Sequence, residues 1–328
     1  MIVPSLPIEC TNLFHLSIFY KYQSGIKKIW YNHCTKDGGV FQKLFLLFLM
    51  MFLTLSTSEA KSSDLLSKED KVYYFGFDLR NSITSEVPKY KPFLEYLHKS
   101  TGYTFKLYLT PIGTSATQML LKNKIQFAAI GAMGYLKGKD QLIPIVRGLN
   151  QDNKSTYHSM LITKPDSPIS SINEIAGNSI SFGSETSTQG YLIPRIMFEK
   201  YHISLDDFSS YRFSYSHQKC AQAVIRREAD ICALQDTLAT QLAGKNLVKI
   251  IHTSEPYPSS GIVANKTVPV SVINKVRQAL IDFDPQGKDK QGLLNWEKTE
   301  MPHGFEAAHE EDYLPLYKWV KHFKLLEN

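Results

Sequence analysis

Along the chain, short apolar runs alternate with amphipathic stretches at helical spacing. Val72-Tyr-Tyr-Phe-Gly-Phe-Asp78 is aromatic and β-branched and predicts a buried first strand. Residues 79–87 read as a polar loop. Apolar residues at helical spacing over 90–98, stopped by Gly102, predict a helix. Strands are expected at 103–109 and 125–130, with a helix at 114–121 between them. Short connections between alternating strands and helices predict a parallel sheet covered by helices.

The rhythm continues. Strands are expected at 142–149 and 157–163, before Pro165 and Pro168 break the chain. A short helix at 172–177 ends on Gly177. Further strands are expected at 178–182, 211–215, 231–234 and 247–252, with helices at 193–201, 220–227 and 237–243. Residues 256–261, rich in Pro, Ser and Gly, mark a second crossing. A strand at 262–264 and a helix at 270–283 follow. The last helix, 312–325, reads as amphipathic, with Leu314, Leu316, Trp319, Val320 and Phe323. The expected fold class is α/β with two lobes. Residues 61–165 and 254–328 make the first, 166–253 the second. Ligands of open α/β sheets sit outside the carboxyl ends of strands, at helix starts, so the ligand is expected in the interlobe cleft.

The N-terminal part has a different character. Residues 40–55 hold one lysine and then large apolar side chains, a run too short for a membrane span of about 20 residues. Ser58-Glu59-Ala60 is a small-x-small cleavage sequence. Residues 40–60 therefore read as a signal peptide cleaved after Ala60, with an uncleaved anchor as the alternative. Residues 1–39 contain Cys10 and Cys34 and are taken to lack periodicity. They read as a misassigned extension, with translation starting near Val40 or Lys43. The expected compartment is the periplasm.

Composition narrows the classes. An apolar content of 43% supports a buried core. The net charge of +6 is spread out, without a Lys/Arg block, and does not argue for nucleic acid. Cys220 and Cys232 remain after cleavage. An exported protein permits a disulfide. Free cysteines are commonly buried, so two buried thiols are the preferred expectation. No metal site is expected, because zinc needs three or four clustered ligands.

The chemistry concentrates in Ser181-Phe-Gly-Ser-Glu-Thr-Ser-Thr-Gln-Gly-Tyr-Leu-Ile-Pro194. A strand runs into a hydroxyl-rich turn, and the turn opens a helix. Unpaired N–H groups, the positive end of the macrodipole and added hydroxyls make such a turn an anion site. Ser187 and Thr188 are the candidate ligands for a phosphate or phosphonate group. The simpler alternative is that one of them only caps the helix.

Ser187-Thr188-Gln189-Gly190-Tyr191-Leu-Ile-Pro194 resembles the Ser-Thr-Ser-Gly-Tyr-x-x-Pro sequence of the periplasmic substrate-binding proteins of phosphonate, phosphate and phosphite ABC importers. Ser214-Tyr-Ser-His217, with Ala223-Val224 and Ala229-Asp230, is similar to that family's Gly-Ser-His, Ala-Val and Ala-Asp pattern. Ile172-Asn-Glu-Ile-Ala-Gly177 is similar to its Ser-Leu-x-Asp-Leu-x-Gly signature. The resemblance covers about residues 71–325. It implies a two-lobe periplasmic binding protein fold, type II-like, in which Ser187, Thr188 and His217 hold the oxyanion and Tyr135 contributes a hydroxyl or its ring. Gln189 departs from the pattern, replacing a second serine with a longer amide. It stands as a candidate selector of ligand shape. Asp236, and more weakly Asp78, would pair with a ligand ammonium; His158 reads as structural.

The function this implies is capture of a small oxyanion by lobe closure, with hinges near 157–165 and 253–262, for delivery to an ABC permease in the inner membrane. A monomer without cofactor or covalent chemistry suffices. Two rivals stand beside it. One is a sensor presenting its ligand to a membrane receptor. The other is a hydrolase using His217 and a serine, against which the absence of a Gly-x-Ser-x-Gly elbow and of a metal motif counts.

Overall fold

The structure, a computed structural model, describes residues 14–22, 25–33, 71–77, 83–110 and 114–326. The expected signal peptide, its cleavage site and Asp78 lie outside these. The chain forms two compact units, residues 1–69 and 70–328. The described part of the first is an antiparallel hairpin of strands Phe14–Tyr22 and Gly25–His33. Phe14-His-Leu-Ser-Ile18 alternates apolar and polar residues, a period-two signal that the expectation for 1–39 leaves out.

The second unit holds two main sheets. The first has six strands in the order Phe305–Ala307, Leu142–Gly148, Gly261–Asn265, Phe127–Ile130, Val72–Phe77, Thr104–Leu109. Val72–Phe77 runs parallel to both its neighbours, and Gly261–Asn265 antiparallel to both of its own. Aromatic residues fill its core: Phe93 stacks on Trp296 at 5.0 Å, and Phe77 on Tyr90 at 3.7 Å. The second sheet has five strands in the order Ser210–Phe213, Ser179–Phe182, Ile231–Gln235, Ser159–Thr163, Lys249–Thr253. Its first three strands are parallel, and Ser159–Thr163 is antiparallel to both neighbours.

Ser159–Thr163 corrects the expected boundary. Expected with the first lobe, it pairs inside the second sheet, between Ile231–Gln235 and Lys249–Thr253. The signal for this is long-range: Leu161 and Ile162 are fully buried between strands that arrive some 70 and 90 residues later. The actual crossing is shorter. Thr156–Tyr157 pairs antiparallel with Tyr257–Pro258, and Ser259 N–H donates to the Ser155 carbonyl at 3.0 Å. The two segments that join the lobes therefore hold each other.

Two further expectations change. The first helix runs over Ile83–Thr101 and absorbs part of the expected polar loop, although Pro88 and Pro92 lie inside it. Each proline removes one helical N–H bond. Buried Phe93, Leu94 and Leu97 hold the helix on the sheet, and Glu86 in its first turn pairs with Lys89 at 3.3 Å. Cys220 and Cys232 form a disulfide instead of two free thiols, with Cα atoms 5.7 Å apart. The helix His217–Ile225 lies against the strand Ile231–Gln235, which brings the two sulfurs together in a wholly buried cluster with Ile162 and Leu234.

The last helix, Leu314–His322, buries Leu316 and Val320 in a core that also holds Met133 and Tyr135 of the first lobe and Ile193 and Phe198 of the second. Phe323 beyond its end receives the Arg195 guanidinium at 4.4 Å. The lobes are thus packed together, and the C-terminal helix touches both. Among the described residues no helix is long and apolar enough to cross a membrane.

Candidate functional site

The strand Ser179–Phe182 ends in the turn 183–187, and a π-helical turn, Thr188–Leu192, leads into the helix Ile193–Lys200. Ser187 is the N-cap: its Oγ accepts the Gly190 N–H at 2.9 Å. Capping and anion binding are compatible here. An Oγ that accepts from the backbone keeps its own proton for a second partner. Gly190 allows a close approach. A Cβ there would lie 2.9 Å from Ser187 Oγ, 3.0 Å from His217 Cε1 and 3.1 Å from Gly183 Cα.

His217 is the first residue of its helix, behind the cap Ser216, whose Oγ accepts the Lys219 N–H at 3.1 Å. Its ring edge faces the same point as the Ser187 hydroxyl, across Gly190. The chain arrives there because Ser214 N–H donates to the Phe182 carbonyl and Tyr215 N–H to the Gly183 carbonyl, at 2.9 and 2.7 Å. Two hydroxyl-capped helix starts therefore stand side by side at the carboxyl ends of neighbouring parallel strands.

Thr188 faces the other lobe. It is 5% exposed, and its Oγ1 accepts the Met133 N–H at 2.9 Å, where the short helix Ala132–Lys137 begins. Gln189 turns inward. Its Nε2 donates to the His158 carbonyl at 3.0 Å and reaches Asp236 Oδ1 at 3.5 Å, while its own carbonyl accepts Ser159 Oγ–H at 2.6 Å. Asp236 opens the helix Asp236–Gly244. Its two oxygens accept the His158 and Thr237 N–H groups, both at 2.7 Å. Burial pushes this carboxyl above its ordinary range; the two N–H groups oppose the rise and nearby Glu300 adds to it. His158 Nδ1 lies 2.7 Å from the Ser254 carbonyl, so this nitrogen carries the proton.

Tyr135 is elsewhere. Its ring is 3% exposed and packs on Tyr313 at 4.7 Å, on the side of the short helix that meets the C-terminal segment. Burial pushes its hydroxyl pKa up, with Glu310 and Glu311 adding to the rise. The structure thus gathers Ser187, Thr188, Gln189, His217 and Asp236 on one face of the second lobe and puts Tyr135 in the core. Tyr157 is instead the tyrosine beside Thr188. Between the lobes a small cavity of about 70 Å³ is lined by Lys89, Tyr90, Lys298 and Glu300 on one side and by Gln218 and Gln235 on the other. None of these is marked by a local motif; each reaches the cleft through tertiary folding.

Two α/β lobes joined by two paired crossing segments, with polar helix starts facing the seam, define a two-lobed solute-binding protein. Residues 75–313 match the family described as ABC transporter, phosphonate, periplasmic substrate-binding protein, and the chain belongs to that family. It is 26% identical to the phosphonates-binding periplasmic protein of Escherichia coli over 265 residues, covering 76% of this chain and 77% of that one. Its fold is similar to PhnD1 of Prochlorococcus marinus, solved with methylphosphonate, with a TM-score of 0.68 at 15% identity, covering 78% of this chain and all (100%) of that one. A binding protein component of an ABC phosphonate transporter from Pseudomonas aeruginosa gives a TM-score of 0.67 at 20% identity, covering 79% and 88%.

Proposed function

We propose that the chain captures a phosphonate, or a related small oxyanion, between its lobes and hands it to the permease of an ABC importer in the inner membrane. The observation that carries this is the pairing of Ser187 and His217 across Gly190, at two adjacent helix starts. Hydroxyl, imidazole and backbone N–H donors converge there, and such donors suit an anion's oxygens. Neutral dipoles hold the anion without a fixed counter-ion, which favours release to a permease. The names of the relatives, one of them solved with methylphosphonate, support the phosphonate class.

The working protein in this reading is a monomer that starts near Lys61, after export to the periplasm and cleavage following Ala60, with residues 1–39 never made. Terminal sequencing of the periplasmic protein tests that start. Titration calorimetry of the mature chain with methylphosphonate, aminoethylphosphonate, phosphate and an aliphatic sulfonate tests the ligand. Tight binding of at least one, without turnover of a phosphoester, is the expected result. Phosphoester hydrolysis, or no binding to any of the four, would overturn the assignment.

A further inference from the structure

The seam cavity of about 70 Å³ has several times the room that one water needs. It adjoins the anion point. Gln218, on its second-lobe wall, directly follows His217. Ser260 lines it as well. A Cβ placed on Gly131 would lie 2.7 Å from Thr188 Oγ1 and 3.9 Å from Ser260 Oγ, so cavity and anion residues meet there. An anion held by Ser187 and His217 has this cavity beside it for its substituent.

The two walls differ. The second lobe offers amides, Gln218 and Gln235, whereas the first lobe brings charge: Lys89, Lys298 and Glu300. Lys298 and Glu300 stand on a turn with a fixed base. Trp296 is buried and stacks on Phe93; its indole N–H donates to the Met301 carbonyl at 2.9 Å, and Thr299 Oγ1 donates to the Trp296 carbonyl at 2.7 Å. The ammonium groups keep donors in reserve, since each has three N–H groups. Lys298 uses one on Asn295 Oδ1 at 2.7 Å. Lys89 uses at most two on the buried Glu86 carboxylate, at 3.3 and 3.5 Å, and its side chain is only 16% exposed. Glu86 balances the charge of Lys89, which leaves Lys298 and Glu300 as a cation and an anion on one wall. Glu300 is near enough to Asp236 to push that carboxyl's pKa up, so negative charge gathers at that end. A wall with charges of both signs complements a substituent that also carries both.

We propose that the captured phosphonate bears an aminocarboxylate, its carboxylate met by Lys298 and Lys89 and its ammonium by Glu300. This rests on the reading of the protein as a phosphonate binder and names the ligand more closely. The head group then sits on the second lobe and the zwitterionic end against the first, so closure reads both ends of one molecule. A phosphonate with an uncharged chain leaves the first-lobe charges unmatched.

Titration calorimetry tests this with three ligands: phosphonoalanine, which carries both charges, aminoethylphosphonate, which lacks the carboxylate, and ethylphosphonate, which lacks both. Phosphonoalanine is expected to bind about tenfold or more tighter than aminoethylphosphonate, the effect of one charge-assisted hydrogen bond. Lys298→Met changes an exposed side chain and should reduce that ratio several-fold. Glu300→Gln should likewise reduce the preference for aminoethylphosphonate over ethylphosphonate. Binding of ethylphosphonate with no gain from the added charges, or ratios that neither variant moves, overturns this proposal alone. Wild-type protein that binds none of the three, nor methylphosphonate, overturns the functional reading and this proposal with it. Crystals of the wild type with phosphonoalanine give a second measurement that needs no variant. A carboxylate oxygen is expected within about 3 Å of Lys298 or Lys89 Nζ; a carboxylate turned away from both overturns the assignment.

Discussion

The Met133 N–H donates to Thr188 Oγ1 at 2.9 Å, and this bond spans the seam between the lobes. Gly131 sits beside it, and a Cβ at that position would come within 2.7 Å of the same Oγ1. Closure therefore depends on an absent side chain. Gly131→Ala is expected to keep the lobes slightly apart. Overpacking of this kind costs about 1–3 kcal/mol, here charged to the closed state and not to either lobe's fold. Small-angle scattering should show a larger radius for the variant with saturating ligand, and calorimetry a weaker affinity. Identical values for both would mean the seam adapts freely.

Ser187 and His217 lie on either side of Gly190, and Thr188 follows Ser187. If the anion sits at this point, Ser187→Ala with Thr188→Val removes two hydroxyl donors while nearly conserving volume. Hydrogen bonds to charged groups contribute about 1.5–3 kcal/mol each, so a loss of several kcal/mol in binding is expected. The Ser187 change also removes a helix cap, worth about 1 kcal/mol of stability. Comparing melting temperature with calorimetric affinity separates the two effects. Full affinity in a less stable variant would leave Ser187 as a cap only.

What could be read from the chain was local. The strand expected at 178–182 is found at Ser179–Phe182, and the helix expected at 193–201 at Ile193–Lys200, because apolar runs and hydroxyl turns adjoin in sequence. The π-helical turn at Thr188–Leu192 has no such signature; it forms where Gly190 lets Ser187, Gly183 and His217 crowd together. The helix expected at 90–98 starts instead at Ile83, and its first turns, with Pro88, read as loop because tertiary packing there overrides a local breaker. Met133 and Thr188 are 55 positions apart, so neither predicts the other. Tyr135 and Tyr157 show the same limit: both are aromatic residues near strand ends, and only the assembled seam tells which one adjoins Thr188.

The Cys220–Cys232 disulfide ties the helix that starts with His217 to the strand that ends at Gln235. Both elements carry site residues at their ends, so the bond links stability to site geometry. Cross-linking positions 12 apart constrains the unfolded chain. For loops of this size the effect is about 3 kcal/mol. Cys220→Ala with Cys232→Ala should lower unfolding free energy by about that amount in urea titrations, and reductant should do the same to the wild type. Equal stability of oxidised, reduced and double-alanine proteins would contradict the bond.

Gln189 uses its amide on the His158 carbonyl and on Asp236, and so covers a carboxylate that a ligand ammonium would otherwise meet. Gln189→Ser withdraws that amide. The variant is expected to gain aminoethylphosphonate affinity relative to methylphosphonate, by about 1 kcal/mol, the net value of one hydrogen bond. Paired titrations measure the ratio directly. An unaltered preference would show that position 189 does not select the ligand.

Asp236 should give the protein a pH-dependent stability of defined sign. Its carboxyl is held up by burial and by Glu300, against the His158 and Thr237 N–H groups. A carboxyl whose pKa is raised by folding binds its proton more tightly in the native state than in the unfolded chain. Between the ordinary value of about 4 and the raised one, the native state therefore holds more protons, and stability falls as pH rises through that window. The decline is at most about 1.4 kcal/mol for each pH unit of the window, and it levels off above the folded pKa. Asp236→Asn cannot titrate and should lose this part of the slope. It also offers one acceptor where two N–H groups need one each, so it should be less stable at low pH by about 1–3 kcal/mol. Urea unfolding of both proteins across this range distinguishes the cases: parallel curves would assign the slope to another group, whereas curves that converge as pH rises are those expected of Asp236.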